Sequence, residues 1–233
     1  MSAYRMPAEW EPHRATWLSW PHNPDTWPGK FAAMLPAYVQ MVAALACSEP
    51  VYINVNNATM EAEARVHLRE AVARGDIRFH HIATNDAWIR DHGAIFVHTS
   101  DPATPATPPS LTAVNWEYNA WGGKYPPYDL DNQVAARMAQ VLGVDVCDGG
   151  MVLEGGSVDV NGQGVLLTTE ACLLNPNRNP HLSRAAIEQH LQDWLGVHTI
   201  LWLGDGIVGD DTDGHVDDLT RFVSPDTDRK STR

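Results

Sequence analysis

Apolar positions recur with a helical period at three places in the chain, and each time a glycine and a short apolar run follow. In the first, a helix over about 60–74 runs into Gly75, and Ile77-Arg78-Phe79-His80-His81-Ile82 follows as a strand. The second sets Val134, Met138, Val141 and Leu142 on one helical face, with Gly143 at the cap position and the short strand Val144-Asp145-Val146 after it. The third repeats those offsets with Ile187, Leu191, Trp194 and Leu195, capped by Gly196 and followed by the strand Val197-His198-Thr199-Ile200-Leu201-Trp202. Between these units, Gly93–His98, Leu111–Tyr118, Gly164–Thr168 and Leu219–Val223 read as further strands. An apolar helix is also predicted to end at Cys47, and the proline-rich stretch Ser100–Pro109 reads as a surface loop inside a hairpin. Recurrence of one helix-and-strands unit predicts a radial or stacked α/β array, in which the same corner of each unit faces a shared axis.

Polar, glycine-rich segments sit among these units: Trp88-Ile89-Arg90-Asp91-His92-Gly93, Leu153-Glu154-Gly155-Gly156-Ser157, and the run Gly209–Asp218. In a radial array Asp91, Glu154 and His215 come from equivalent corners and converge. Taken alone, Asp91 also fits a turn or helix cap, and Glu154 a strand-end carboxylate beside a bend. Together with Trp88 three residues earlier, Asp91 suits a planar cation through stacking and charge-assisted hydrogen bonds. The double glycine after Glu154 permits a close approach of substrate or backbone. His215 and Asp217 would share one face if they lie on a strand. Asp211, Asp213, His215 and Asp217 also alternate at ligand spacing, which leaves a metal site open as the competing reading. The first reading is acid–base work by His215, with Asp217 binding substrate.

Charge sharpens this picture. With 29 acidic against 16 basic residues the formal net charge is −13, which disfavours nucleic acid and anionic membrane surfaces and favours a small cation. Hydrophobic residues make up 44% of the chain, enough for a sizeable core, and no run is long enough for a membrane span. The first residues do not read as a secretory signal. The three cysteines, Cys47, Cys147 and Cys172, lack a CxxC spacing, so a reducing, cytoplasmic setting is expected. Nine tryptophans, many beside Pro, His, Asn or Gly, fit either a binding surface or the core.

Laid end to end, these segments resemble the agmatine deiminase and bacterial-type (Porphyromonas-type) peptidyl-arginine deiminase family. The resemblance begins at Met6-Pro7-Ala8-Glu9-Trp10-Glu11-Pro12-His13 and Trp17-Leu18-Ser19-Trp20-Pro21. It continues through Trp88–Gly93, Asn115–Tyr125 and Leu153–Ser157, and ends with Gly204–Asp218. It implies a pentein-type α/β propeller, a single guanidine-modifying domain of five ββαβ-like units, of which about three fall within residues 1–233. It implies that Asp91 and Asp217 clamp the guanidinium nitrogens and that Glu154 pairs with the substrate or with His215. His215 would shuttle protons and Trp88 would pack against the substrate. No cofactor and no metal is implied.

The reaction implied is hydrolytic deimination. A cysteine thiolate attacks the guanidinium carbon, ammonia leaves with a proton from His215, and water hydrolyses the covalent intermediate. In the family that cysteine lies in a glycine-rich motif after the His-x-Asp segment, and none of Cys47, Cys147 or Cys172 lies in such a motif. The chain is therefore expected to be C-terminally truncated, with 228–233 a polar tail foreign to the domain, and inactive alone. The expected activity of the full-length protein is conversion of agmatine to N-carbamoylputrescine and ammonia, in putrescine and polyamine biosynthesis. Peptidyl-arginine deimination and a non-catalytic guanidinium-binding fragment are the alternatives. The expected partner is a small cationic guanidino substrate, with no nucleic acid and no membrane, and a homo-oligomeric full-length protein.

Overall fold

A parallel strand covered on both faces needs apolar residues at nearly every position, and Val51-Tyr52-Ile53-Asn54-Val55 is buried throughout its length. In the computed structural model, which describes residues 3–100 and 109–230, this strand is the centre of a three-stranded parallel sheet. Its neighbours are Thr16–Ser19 and Ile77–His81. The chain divides into two compact units, and this sheet belongs to the one formed by residues 12–89 and 127–134. Helix Phe31–Leu45 joins the first two strands, and helices Ala58–His67 and Arg69–Arg74 join the second pair. Trp20, Val42, Ile53, Val55, Ala64 and Leu68 are buried together as its core.

The single helix anticipated over 60–74 is thus two helices, broken at Leu68, whose ψ of 10° leaves the helical region while its side chain is fully buried. Asn57 caps the first of them by accepting from the Met60 amide at 3.0 Å. Gly75 is not a left-handed cap. It is extended, and it is required because a Cβ there would sit 2.6 Å from the Ala46 carbonyl oxygen.

The other unit comprises residues 1–11, 90–126 and 135–233. Its four-stranded sheet runs Tyr4–Arg5, Ile95–Thr99, Ser110–Glu117, Asp145–Val152. The first three strands pair antiparallel and the last joins Ser110–Glu117 in parallel. The loop anticipated at 100–109 does join a hairpin, with Thr99 opposite Ser110; residues 101–108 lie outside the described residues. A second sheet places Val165–Thr169 between Asp159–Val160, antiparallel, and Thr199–Leu203, parallel. In both sheets a hairpin is followed by a helix, Val134–Leu142 or Arg184–Leu195, and then by a parallel strand. The ββαβ order therefore occurs twice, and the glycine-capped periodic helices are its crossovers. Gly143 and Gly196 take the left-handed conformation, with φ of 64° and 68°.

Thr220–Ser224 forms an antiparallel hairpin with Thr227–Lys230. Most of the latter falls within the polar tail expected over 228–233, because Thr-Asp-Arg-Lys carries no alternating apolar signal. Backbone pairing holds it, aided by the Thr220 hydroxyl, which donates to the Arg229 carbonyl at 2.8 Å. Among the described residues, no helix is long and apolar enough to cross a membrane.

The Gly196 turn admits no side chain, since a Cβ would lie 1.8 Å from the Tyr4 carbonyl oxygen. Gly196→Ala is expected to destabilise the protein by at least about 1–2 kcal/mol from left-handed strain alone. Urea unfolding measures this, and an unchanged midpoint would contradict the packing described.

Candidate functional site

The short turn Gly155–Ser157 lies between the strands Asp145–Val152 and Asp159–Val160, and three of the anticipated site residues gather around its middle residue. A Cβ on Gly156 would lie 2.4 Å from His215 Nδ1, 2.7 Å from Asp91 Oδ1 and 3.0 Å from Asp217 Oδ2. The glycine therefore makes room for three side chains, beyond the close approach of substrate or backbone anticipated for it. His215 Nδ1 stands 3.5 Å from Asp91 Oδ1 and 3.9 Å from Asp217 Oδ1.

Asp91 is buried in the turn Ile89–His92 and is aimed from both sides. Its Oδ1 accepts from the Gly156 amide at 3.1 Å and its Oδ2 from Trp121 Nε1 at 3.1 Å. Burial, then the charges of Glu154 and Asp217, push its carboxyl up to about 8. Asp217 is raised to about 6 by burial and by Asp218. His215 is held down to about 3, first by burial and then by Arg178, so its imidazole is neutral at pH 7. His215 and Asp217 do not lie on a strand. His215 precedes the 3-10 turn Val216–Asp218, and that turn, rather than strand alternation, carries Asp217 to the same side.

Glu154 is fully buried, and its Oε1 accepts from Arg178 Nε at 2.7 Å. Arg178 was not anticipated as a site residue. Its guanidinium also donates to Asp213 Oδ2 and Asn177 Oδ1, each at 2.7 Å, and to the Thr212 carbonyl at 2.8 Å. The signal available for it was indirect: an acidic chain that buries carboxylates needs a buried cation, and Asn177-Arg178-Asn179-Pro180 offers one. Asp213 takes a left-handed backbone, φ 67°, rare for a residue with a side chain. Burial works against its charge, but hydrogen bonds from Lys124, Asn177 and Arg178 outweigh this and hold it at about 2.

Trp121 was not singled out either. It sits in a strained segment where Ala120 and Trp121 have φ of 54° and 55°, and this conformation presents its indole N–H to Asp91. Trp88, the aromatic anticipated beside the substrate, belongs to the other unit. There it is 40% exposed and its ring lies 5.6 Å from that of Trp27.

The alternating acidic run does not assemble as a metal cluster among the described residues. Asp213 is taken by Arg178 and Lys124, and Asp211 accepts from the Tyr125 hydroxyl. One mixed group has metal-type proximity: Glu154, Cys172 and His215, with one donor atom from each within 4.8 Å of the others. The Cys172 thiol is buried, and burial followed by the Glu154 charge raises its pKa well above the ordinary thiol value, so it is protonated at neutral pH. Cys47 is exposed and donates to the Ala43 carbonyl, while Cys147 is half-buried beside the Tyr4 hydroxyl.

Residues 5–228 match the family model of Porphyromonas-type peptidyl-arginine deiminase. Among curated relatives, the agmatine deiminase of Pseudomonas syringae pv. tomato is 43% identical over 231 residues, which is 95% of this chain and 58% of that protein. Among solved structures, the agmatine deiminase of Enterococcus faecalis superposes with a TM-score of 0.84 at 39% identity, covering 96% of this chain and 59% of that one. A cysteine-to-serine form of C. jejuni agmatine deiminase with substrate bound gives 0.84 at 32% identity, covering 97% and 63%. The chain thus spans about three fifths of the length of these relatives.

The Arg178 network generates a test that does not depend on activity. Arg178→Met leaves Glu154 without its cation and Asp213 with Lys124 alone, and is expected to destabilise the protein by about 3–5 kcal/mol. Adding Glu154→Gln to that variant should recover part of the loss, read by chemical unfolding of the four proteins of the cycle. Additive effects, or a loss below about 1 kcal/mol, would contradict the pairing.

Proposed function

The chain belongs to the Porphyromonas-type peptidyl-arginine deiminase family, and from that footing we propose that it carries the guanidinium-binding and proton-transfer machinery of a hydrolytic agmatine deiminase. The observation that carries this reading is the gathering of Asp91, Asp217 and His215 around Gly156. Two carboxylates beside a neutral imidazole match what deimination of a cation requires. Asp91, fixed by Trp121 and the Gly156 amide, and Asp217 accept hydrogen bonds from the guanidinium nitrogens and hold its carbon in line for attack.

His215, neutral at pH 7, takes the proton of the attacking cysteine thiol and passes it to the departing ammonia. It then takes a proton from water, whose oxygen attacks the thiouronium carbon, releasing the cysteine and a ureido product. Cys172 is buried and protonated, and Cys47 and Cys147 bond to a carbonyl and to a tyrosine hydroxyl. The nucleophile is accordingly assigned to a cysteine that this sequence does not contain. Glu154, fixed by Arg178, adds negative charge behind the site and pairs with the substrate or His215. Trp88 is assigned to packing against the substrate.

Agmatine is the substrate we favour, giving N-carbamoylputrescine on the route to putrescine and polyamines, in the cytoplasm. This reading is supported by relatives described as agmatine deiminases and by an acidic chain suited to a small cation. Peptidyl-arginine is the second reading, supported by the name of the family model. The two ββαβ modules are read as part of a single five-unit pentein ring, and the full-length protein as a homo-oligomer. By itself the chain should bind agmatine and release no ammonia. A full-length protein that releases ammonia from an arginine peptide but not from agmatine would reverse the substrate assignment.

The raised carboxyls give this reading a pH signature. Without a cation, Asp91 holds its proton up to about 8 and Asp217 up to about 6. A guanidinium requires both as carboxylates, so binding expels protons and affinity rises with pH between about 6 and 8, then levels off. Calorimetry at pH 7 in buffers of different ionisation heat should show net proton release on agmatine binding. Asp91→Asn should weaken binding by about 1.5–3 kcal/mol and remove most of the pH slope. Affinity that falls as pH rises, or an unchanged slope in the variant, would sink the assignment of Asp91.

A further inference from the structure

Glu154, Cys172 and His215 present three chemically different donors to one another, and two of these residues carry a buried atom with no hydrogen-bond partner among the described residues. One donor atom from each lies within 4.8 Å of the other two, and all three residues are buried, at 0%, 0% and 2% exposure. Glu154 Oε2 and His215 Nε2 have no hydrogen-bond partner among the described residues. Of their other atoms, Glu154 Oε1 accepts from Arg178, and His215 Nδ1 lies 3.5 Å from Asp91 Oδ1 and 3.9 Å from Asp217 Oδ1. Leaving a buried polar atom unpaired is costly, and a native structure normally supplies it with a partner.

We propose that Glu154, Cys172 and His215 form a binding site for one thiophilic divalent cation of the zinc class, held by a thiolate sulfur, an imidazole nitrogen and a carboxylate oxygen. Sulfur, nitrogen and oxygen donors in threes, with water as a fourth, are a zinc-type set, whereas calcium and magnesium prefer oxygen alone. Tetrahedral bonds of about 2.0–2.3 Å separate donors by roughly 3.5 Å, so the present spacing needs to close by about an ångström, within reach of side-chain rotation. Binding replaces the Cys172 S–H bond by a sulfur–metal bond, and the proton leaves to solvent. The thiolate and Glu154 then balance the two positive charges, and Arg178 keeps Asp213 as its counter-ion. Gathering the two unpaired atoms and the thiol onto one ion satisfies all three.

One consequence rests on the function proposed above: with His215 on a metal, proton transfer to ammonia stops, so occupancy and deimination exclude one another. The binding itself does not rest on that reading, and its test contains no guanidino compound. Cobalt(II) is titrated into the Cys47→Ser/Cys147→Ser protein, in which Cys172 is the one thiol left. The expected result is saturation at one equivalent, with a sulfur-to-cobalt charge-transfer band and intense four-coordinate visible bands, all displaced by zinc. Cys172→Ser, with its circular dichroism retained, should lose the charge-transfer band and bind at least tenfold more weakly. Saturation without that band in the Cys172-only protein, or no binding at all, overturns the proposal whether or not Cys172→Ser folds.

Discussion

The arrangement of the candidate site depends on one buried cation. Arg178 donates to Glu154 on one side and to Asp213 on the other, and it also binds the Thr212 carbonyl. Asp213 and Thr212 stand just before His215, and the Thr212 hydroxyl accepts from the His215 amide at 3.1 Å. A single guanidinium thus ties the strand-end carboxylate Glu154 to the loop that presents His215. Without it, a fully buried carboxylate would have no counter-charge, at a cost that exceeds what most single contacts return.

That cation also sets the state of the groups around it. Arg178 works with burial to keep His215 neutral, while Asp91 and Asp217 are raised by burial and by other carboxylates. The result is a pair of acids inclined to hold protons beside an imidazole held in its neutral form. Such a site is poised for a cation: a guanidinium returns both carboxyls to their ionised form by supplying the charge that burial denies them. The second positive charge follows the same logic. His215 and Glu154 each keep one buried atom unpaired and lie close to the Cys172 thiol, a set of donors that suits a soft metal ion.

Much of this was legible in the sequence because it rests on period. Helices with apolar faces and left-handed glycine caps at Gly143 and Gly196 announced the crossovers, and the polar segments around Asp91, Glu154 and His215 marked the side chains that meet. What escaped depends on contacts between distant segments. Gly75 looks like another cap but is there because Ala46 leaves no space for a side chain. Thr227–Lys230 pairs through its backbone, and backbone pairing leaves no mark on a polar sequence. Trp121 lies outside the segment that holds Asp91, and its bond to that carboxylate is made across thirty residues. Arg178 lies between two asparagines, with no motif to distinguish it, and only the burial of Glu154 reveals why a cation belongs there.

The central claim is that Asp91 and Asp217 read a guanidinium over Gly156 while His215 stands beside it. A crystal structure of this chain with agmatine tests that claim most directly. Guanidinium nitrogens are expected within hydrogen-bond distance of both carboxylates, with the cation carbon facing the His215 ring. Agmatine bound with its guanidinium elsewhere, or with its primary amine at Asp91 and Asp217, would contradict it.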